Sequence, residues 1–435
     1  MSKVITRFPP SPTGNLHLGG LRTALFNYLY AASMSGEMLF RIEDTDKERS
    51  KKEYEDSIID SLSWLKINVK EPIRQSERTE IYKKYLKKMV DDGFAYISTE
   101  EPKEEGKRTE VIRFKNPNKK VSFDDIILGK IEFDTTDLGD FVIAKDLNTP
   151  IYHLAVVVDD YEMGITHILR GQEHIANTPR QILIQEAIGA PRPFYAHIPL
   201  ILAPDKTKLS KRHGAVSVIQ YKEEGYLPEA LINFLVLIGW NPGDDREFFS
   251  LEELKKVFSI KKIQKSSGVF DVNKLNWMNR EYIKKLPENR RDEFVLERIP
   301  EEFKNVKNFE SVFKKIKNLL FDRIEKFSDV TNIFKRGDMD YFFFSPKYDK
   351  KLLKNTSFVK ETVTILEKID QSNFTAEIIK QTLWDFATEK GRGEVLWPMR
   401  VALSGKEKSP DPFTLAEILG KDETIKRLNF SLEKN

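Results

Sequence analysis

No cysteine occurs anywhere in the 435-residue chain. That absence excludes disulfides, thiolate zinc sites, a cysteine nucleophile and dithiol redox chemistry together, although it names no compartment. A long apolar run is missing too: the longest, residues 230–240, is interrupted by Asn233 and falls short of the roughly 20 residues a spanning helix needs. The first ten residues run into Pro9-Pro10 without the apolar core of a secretory signal, so a cytoplasmic protein with no membrane association is expected. Nor does one sign of charge dominate. Lys and Arg number 71 against 68 Asp and Glu, a formal net charge of +3, so any nucleic-acid site must be a local patch.

What is present is the composition of a folded chain, 40% hydrophobic and 32% charged, with a length that implies two or more domains. Residues 3–8 read as a strand that the turn formers of residues 9–15 stop. A helix is expected to begin near His17, because Leu21, Ala24, Leu25, Tyr28 and Leu29 recur at three- and four-residue steps up to Gly36. A second strand, 39–42, ends in Glu43-Asp44-Thr45-Asp46, and strand, helix and strand in this order open a parallel α/β sheet. Helices are expected over 54–65 and 79–92. Residues 100–109 are charged and patternless, and 111–141 alternates as strands do. The nearly continuous apolar run 152–158 is read as a strand buried on both faces. After Arg290 the pattern turns helical, with helices expected over 309–327, 358–370 and 376–388.

The loop ending at Gly20 leads into a helix, so free backbone N–H groups and the positive end of the helix dipole meet there, a natural seat for phosphate. Gly14, Gly19 and Gly20 permit close approach, and His17 has a hydrogen bond to offer as charge builds on a phosphate. An ordinary surface turn is the plainer alternative for such a loop taken alone.

Its context is more specific. Arg7-Phe8-Pro9-Pro10-Ser11-Pro12-Thr13-Gly14-Asn15-Leu16-His17-Leu18-Gly19-Gly20 resembles the nucleotide-binding signature of bacterial glutamyl-tRNA synthetases, which are class I, with His17-Leu18-Gly19-Gly20 at the class's His-Ile-Gly-His motif. Lys208-Leu209-Ser210-Lys211-Arg212 resembles the class's second signature. Further resemblance lies in Tyr152 to Asp160, Arg170-Gly171-Gln172-Glu173-His174, Val269 to Asn279 and Trp397 to Gly405. It implies a Rossmann-type α/β catalytic domain in two halves (1–77 and 148–200), a small inserted α+β acceptor-binding domain (78–147), a stem-contact region carrying the second signature (201–290) and an all-helical anticodon-binding domain (291–435). The helical pattern after Arg290 argues against the related glutaminyl enzyme, whose C-terminal part is built from β-barrels.

By the same resemblance, Arg7 and Arg170 grip the glutamate carboxylate, Glu43 holds its ammonium, and Ser11 and Tyr152 line the amino-acid pocket. ATP falls to Pro12, Thr13, Gly14, His17, Gly19, Gly20, Glu173, Lys208, Leu209, Ser210 and Lys211. His17, Lys208 and Lys211 are the catalytic candidates, since charge gathers on phosphoryl oxygens as a carboxylate attacks the α-phosphate. His153, His174 and the run 156–158 are read as packing. ATP with magnesium is expected, and no zinc, because the family's zinc ligands are cysteines and the stretch 100–109 is short. The partners implied are L-glutamate and tRNA(Glu), tRNA(Gln) or both, with a tRNA-dependent amidotransferase if tRNA(Gln) is charged; the protein is expected to be a monomer. Arg323 is a candidate anticodon reader, with a structural salt bridge as the alternative, and Lys261, Lys262, Lys265, Lys314, Lys315 and Lys317 are candidate phosphate contacts.

Overall fold

The computed structural model describes residues 3–100, 110–207, 209, 217–347, 352–353 and 356–433. Two compact units divide the chain, Met1–Tyr282 and Ile283–Asn435.

The first unit opens with β1 (Ile5–Phe8), α1 (Leu18–Ser33), β2 (Glu37–Ile42), α2 (Lys52–Trp64) and β3 (Ile73–Arg74). The strands pair in parallel in the order β1-β2-β3. Helix α1 forms where its apolar stripe predicts, with Leu18, Leu21, Leu25 and Leu29 fully buried and His17 as its N-cap. After α3 (Thr79–Asp91) come β4 (Ala95–Thr99), β5 (Glu110–Phe114), β6 (Lys120–Asp125), β7 (Gly129–Asp134), β8 (Phe141–Asp146) and β9 (Thr149–Pro150). Strands β4, β5, β8 and β9 make an antiparallel sheet of their own, whereas the β6–β7 hairpin does not join it.

Then follow α4 (Tyr152–Glu162), β10 (His167–Gly171), α5 (Thr178–Ile188) and β11 (Phe194–Ile198). Strand β10 runs parallel to β11, and β11 takes β6 as its other neighbour. At the entrance to β10 the Thr166 N–H donates to the Ile5 carbonyl at 3.0 Å, which seats β10 beside β1. Across the molecule the strands thus run β3-β2-β1, then β10-β11-β6-β7. The order reverses between β1 and β10, and at such a switch point open α/β sheets bind ligands outside the strand ends.

The apolar run 152–158 is a correction: it is not a strand but the first two turns of α4. A run buried on every side carries no period by which strand and helix differ. Leu154 to Val158 are all buried, and the strand lies further on, as β10. A smaller difference is that residues 309–327 hold a helix Phe309–Phe321 and a break before the next, Ser328–Lys335.

The first unit closes with β12 (Ile201–Leu202), α6 (Val218–Glu223), α7 (Pro228–Leu237), α8 (Leu251–Val257), β13 (Gly268–Val269) and α9 (Val272–Lys285); β12 pairs with β13. In the second unit only helices occur among the described residues. No described helix is long and apolar enough to cross a membrane.

Gly36 sets the register of β1 against β2. A Cβ there would stand 2.1 Å from the Val4 carbonyl oxygen, the same oxygen that accepts from the Glu37 N–H at 2.9 Å to begin the pairing. Gly36→Ala is therefore expected to cost about 1–3 kcal/mol through forced backbone displacement. Thermal unfolding checks this, and an unchanged midpoint would mean that the strands do not approach so closely.

Candidate active site

A cleft of about 420 Å³ opens at the C-terminal ends of β1, β10 and β11, lined along the loop after β1 by Arg7 to Ser11, Thr13 to His17, Gly19 and Gly20, and by Glu43, Tyr152, Arg170 and Glu173. Its floor begins with the turn run 9–16, which the rest of the fold pins from outside: the Glu43 N–H donates to the Pro10 carbonyl at 3.0 Å and the Lys51 N–H to that of Pro12 at 2.9 Å. Pro12 itself is buried and does not line the cleft, whereas Ser11, Thr13, Gly14, Gly19 and Gly20 do. At the head of α1 the Gly20 N–H donates to His17 Nδ1 at 3.1 Å. An N–H is only a donor, so Nδ1 holds a lone pair, and the proton of a neutral His17 sits on Nε2.

The second signature meets the first through its flank. His17 forms an antiparallel bridge with Ser217, and the Val218 N–H donates to the Leu16 carbonyl at 2.9 Å. Leu209 packs against the main core. Lys208, Ser210, Lys211 and Arg212 lie outside the described residues.

Beneath the cleft is a cluster of buried charges. Arg7 Nε donates to both Asp160 oxygens, at 3.2 and 3.3 Å, and Arg41 reaches Asp160 at 2.8 Å and Glu43 at 3.0 Å. Asp159 accepts from Gln75 at 2.8 Å, Arg78 at 2.7 Å and Tyr82 at 2.8 Å. Three guanidinium groups thus face three carboxylates, so the cluster is neutral as a whole. Breaking such a pair leaves an uncompensated charge at roughly 3–5 kcal/mol. Burial raises the pKa of Glu43, and Arg41 opposes the rise without cancelling it. A cationic group in the cleft would lower it.

Arg170 is arranged differently. Its donors meet His197 Nε2 at 3.1 Å, Gln181 Oε1 at 2.7 Å and Thr178 Oγ1 at 2.8 Å, all uncharged acceptors when His197 is neutral, and burial pulls its pKa down. Arg22 also lines the cleft. It donates to the carbonyls of Pro199 and Ile238, and burial, opposed by Glu173, lowers its pKa to about 10. Glu173 folds back over Gly171, where any Cβ would stand 2.2 Å from its carboxylate. A loop at a helix N-terminus, three buried guanidinium groups (Arg7, Arg22 and Arg170) and two carboxylates (Glu43 and Glu173) in a single cleft suit a zwitterion with an extra carboxylate beside a nucleotide phosphate.

Two family models cover this chain: the catalytic domain of class I tRNA synthetases (E and Q), over residues 3–110 and 98–277, and an anticodon-binding domain over 276–432. The chain is 41% identical to a glutamate–tRNA ligase of Aquifex aeolicus across the full length of both, and 40% identical to one of Thermodesulfovibrio yellowstonii with 98% of each covered.

The chain belongs to the class I tRNA synthetases.

Among solved structures, a glutamate tRNA ligase from Elizabethkingia meningosepticum in complex with its amino acid superposes on this synthetase with a TM-score of 0.84, at 34% identity and 99% coverage of both chains. The fold class expected from the sequence is therefore that of the family.

Several groups shaping the cleft of the synthetase escaped the reading of its sequence. Arg41, Asp160, His197 and Arg22 were assigned no role, yet a charged residue inside an apolar strand or helix was the available signal, as with Arg41 between Phe40 and Ile42. The lysines divide. Lys315 caps the helix Pro412–Leu419 by donating to the Ile418 carbonyl at 3.1 Å, Lys317 pairs with Glu288 at 2.6 Å and Asp292 at 2.8 Å, and Lys262 donates to the Pro242 carbonyl. These three are committed within their own units. Arg323 lies exposed beside the Tyr341 hydroxyl.

His153 and His174 are half-buried, and His174 lines the cleft. The Tyr152 hydroxyl and the Asn177 amide lie 3.3 and 3.2 Å from His174 Nδ1. Burial first, then Arg180 for His153 and Arg170 for His174, lowers each imidazole to about 4 from 6.5. Between these values the unfolded chain binds more protons, so both residues make the fold less stable as pH falls through that window. A histidine NMR titration should find the two rings neutral down to about pH 5; titration near 6.5 would mean open rings.

Proposed function

We propose that this chain is a glutamate–tRNA ligase, joining L-glutamate to the 3′ end of tRNA at the expense of ATP. The observation that carries the reading is the convergence of the His17 loop, Arg7, Arg170 and Glu43 on one cleft at the switch point of the sheet. In the first step a glutamate α-carboxylate oxygen attacks the α-phosphorus of ATP and pyrophosphate leaves. The 2′-hydroxyl of the terminal adenosine of tRNA then takes the acyl group and AMP departs. No covalent enzyme intermediate is needed.

Each group has a physical task in this scheme. Arg170 and Arg7 hold the side-chain carboxylate by charge-assisted hydrogen bonds, Glu43 receives the ammonium, and Ser11 and Tyr152 complete the amino-acid pocket. The free N–H groups at the head of α1 and the Nε2–H of His17 face the phosphates, with Glu173 near the nucleoside. Lys208 and Lys211 meet the charge that grows on the departing pyrophosphate. Among the described residues no three carboxylate or imidazole groups cluster as metal ligands, which fits magnesium carried chiefly by the phosphate oxygens. When bound it neutralises phosphate charge. With no cysteine in the chain, a thiolate-held zinc has no part in the scheme.

The reading extends to a cytoplasmic monomer that charges tRNA(Glu), tRNA(Gln) or both, with a tRNA-dependent amidotransferase as partner where tRNA(Gln) is charged. Activation waits for tRNA, an induced fit that assembles the site on the right complex.

Glutamate charging of tRNA(Glu) and tRNA(Gln) transcripts, run separately with ATP and magnesium, tests the proposal. Charging of tRNA(Glu) alone would make the enzyme discriminating, and charging of neither, while tRNA still binds, would sink the reading. ATP–pyrophosphate exchange should be weak until tRNA is added. Lys211→Ala should lower kcat by about 10²–10³-fold, as the loss of one transition-state donor does, and a KM effect alone would refute that role.

A further inference from the structure

Arg170 differs in its partners from Arg7 and Arg41, though not from Arg22, which likewise donates only to uncharged acceptors. Arg7 and Arg41 are each in direct ion pairs, whereas among the described residues no carboxylate pairs with Arg170. Its counter-charge stands one ring away. His197 is completely buried; its Nε2 lies 3.1 Å from Arg170 Nε and its Nδ1 lies 2.7 Å from Asp125 Oδ2.

The donors decide the tautomer. A guanidinium N–H has no lone pair, so His197 Nε2 must accept, and the ring proton of a neutral imidazole then sits on Nδ1, where Asp125 receives it. Asp125 is fastened in turn. The N–H groups of Ile127 and Leu128 donate to its Oδ1 at 2.9 and 2.8 Å, and the His197 N–H donates to its Oδ2 at 2.9 Å. The ring of His197 lies beside the Phe123–Tyr195 pair, with centroids 6.1 and 6.2 Å away. Every member of the chain from Asp125 to Arg170 is thus held in one geometry.

We propose that Asp125 and His197 are positioning residues that aim Arg170 at the side-chain carboxylate of the substrate and keep its positive charge unspent until that carboxylate arrives. The inference rests on the reading of Arg170 as a glutamate ligand. A carboxylate in direct contact would hold Arg170 as Asp160 holds Arg7, in competition with the substrate, whereas a neutral imidazole fixes Nε without neutralising the cation. Asp125 closes β6, in the stretch inserted between the two halves of the catalytic domain. The same relay therefore ties the geometry of the amino-acid pocket to the β6–β7 hairpin.

The test is steady-state charging of a tRNA(Glu) transcript by the full-length enzyme, varying glutamate and ATP in turn. His197→Phe keeps a ring beside Phe123 and Tyr195 and removes both nitrogens. It should raise the glutamate KM by about 10- to 100-fold, the loss expected when a hydrogen bond to a charged group is removed, with kcat and the ATP KM little changed. Asp125→Asn should move the glutamate KM in the same direction. Combining His197→Phe with Arg170→Gln should add nothing to Arg170→Gln alone. An unaffected glutamate KM in His197→Phe, alongside a large effect of Arg170→Gln, would overturn the relay and leave the glutamate reading standing; no effect of Arg170→Gln would overturn both. Should His197→Phe fail to fold, the nitrogen-15 spectrum of wild-type histidines still decides. A neutral His197 protonated on Nδ1 at pH 7 supports the relay, and protonation on Nε2 overturns it.

Discussion

Asp160 is the point on which the first unit turns. It is 4% exposed and binds Arg7 from β1 and Arg41 from β2, residues 153 and 119 positions away in the sequence. Such a carboxylate is tolerable in a protein interior only when cations and donors surround it. The three elements must therefore arrive together, which ties α4 to the β1–β2 pair. Glu43 shares Arg41 with Asp160, so the carboxylate that lines the cleft is held by the same cluster.

Around that cluster the cleft separates its charges by function. Arg7 and Glu43 are built into a neutral network, rigid and prepaid in hydrogen bonds. Arg170 has only uncharged direct partners and remains electrostatically open to an anion. His153 and His174, both kept neutral by burial, add no further positive charge beside it. The loop at the head of α1, which also lines the cleft, offers backbone donors, which carry no net charge and need no counter-ion.

Legibility in the sequence followed the scale of the interactions. The loop from Ser11 to Gly20 and helix α1 were readable because turn formers and three- and four-residue spacing act locally, and a cap such as His17 belongs to the same few residues. Residues 152–158 were misread because burial on all sides erases the period. Arg41, His197 and Asp125 were passed over because their purpose lies in partners far along the chain, and a single sequence names no such partner.

The sequence by itself determined the family, the opening strand–helix–strand and the chemical types that line the cleft, since motifs and local periodicity are carried by neighbours in the chain. Tertiary structure alone decided that the 152–158 segment is helix, that the β6–β7 hairpin completes the main sheet, and that Arg7 is ion-paired while Arg170 is not. The reason is physical. Burial and ion pairing depend on the distance between side chains in space, and that distance is set only when strands more than a hundred residues apart lie side by side.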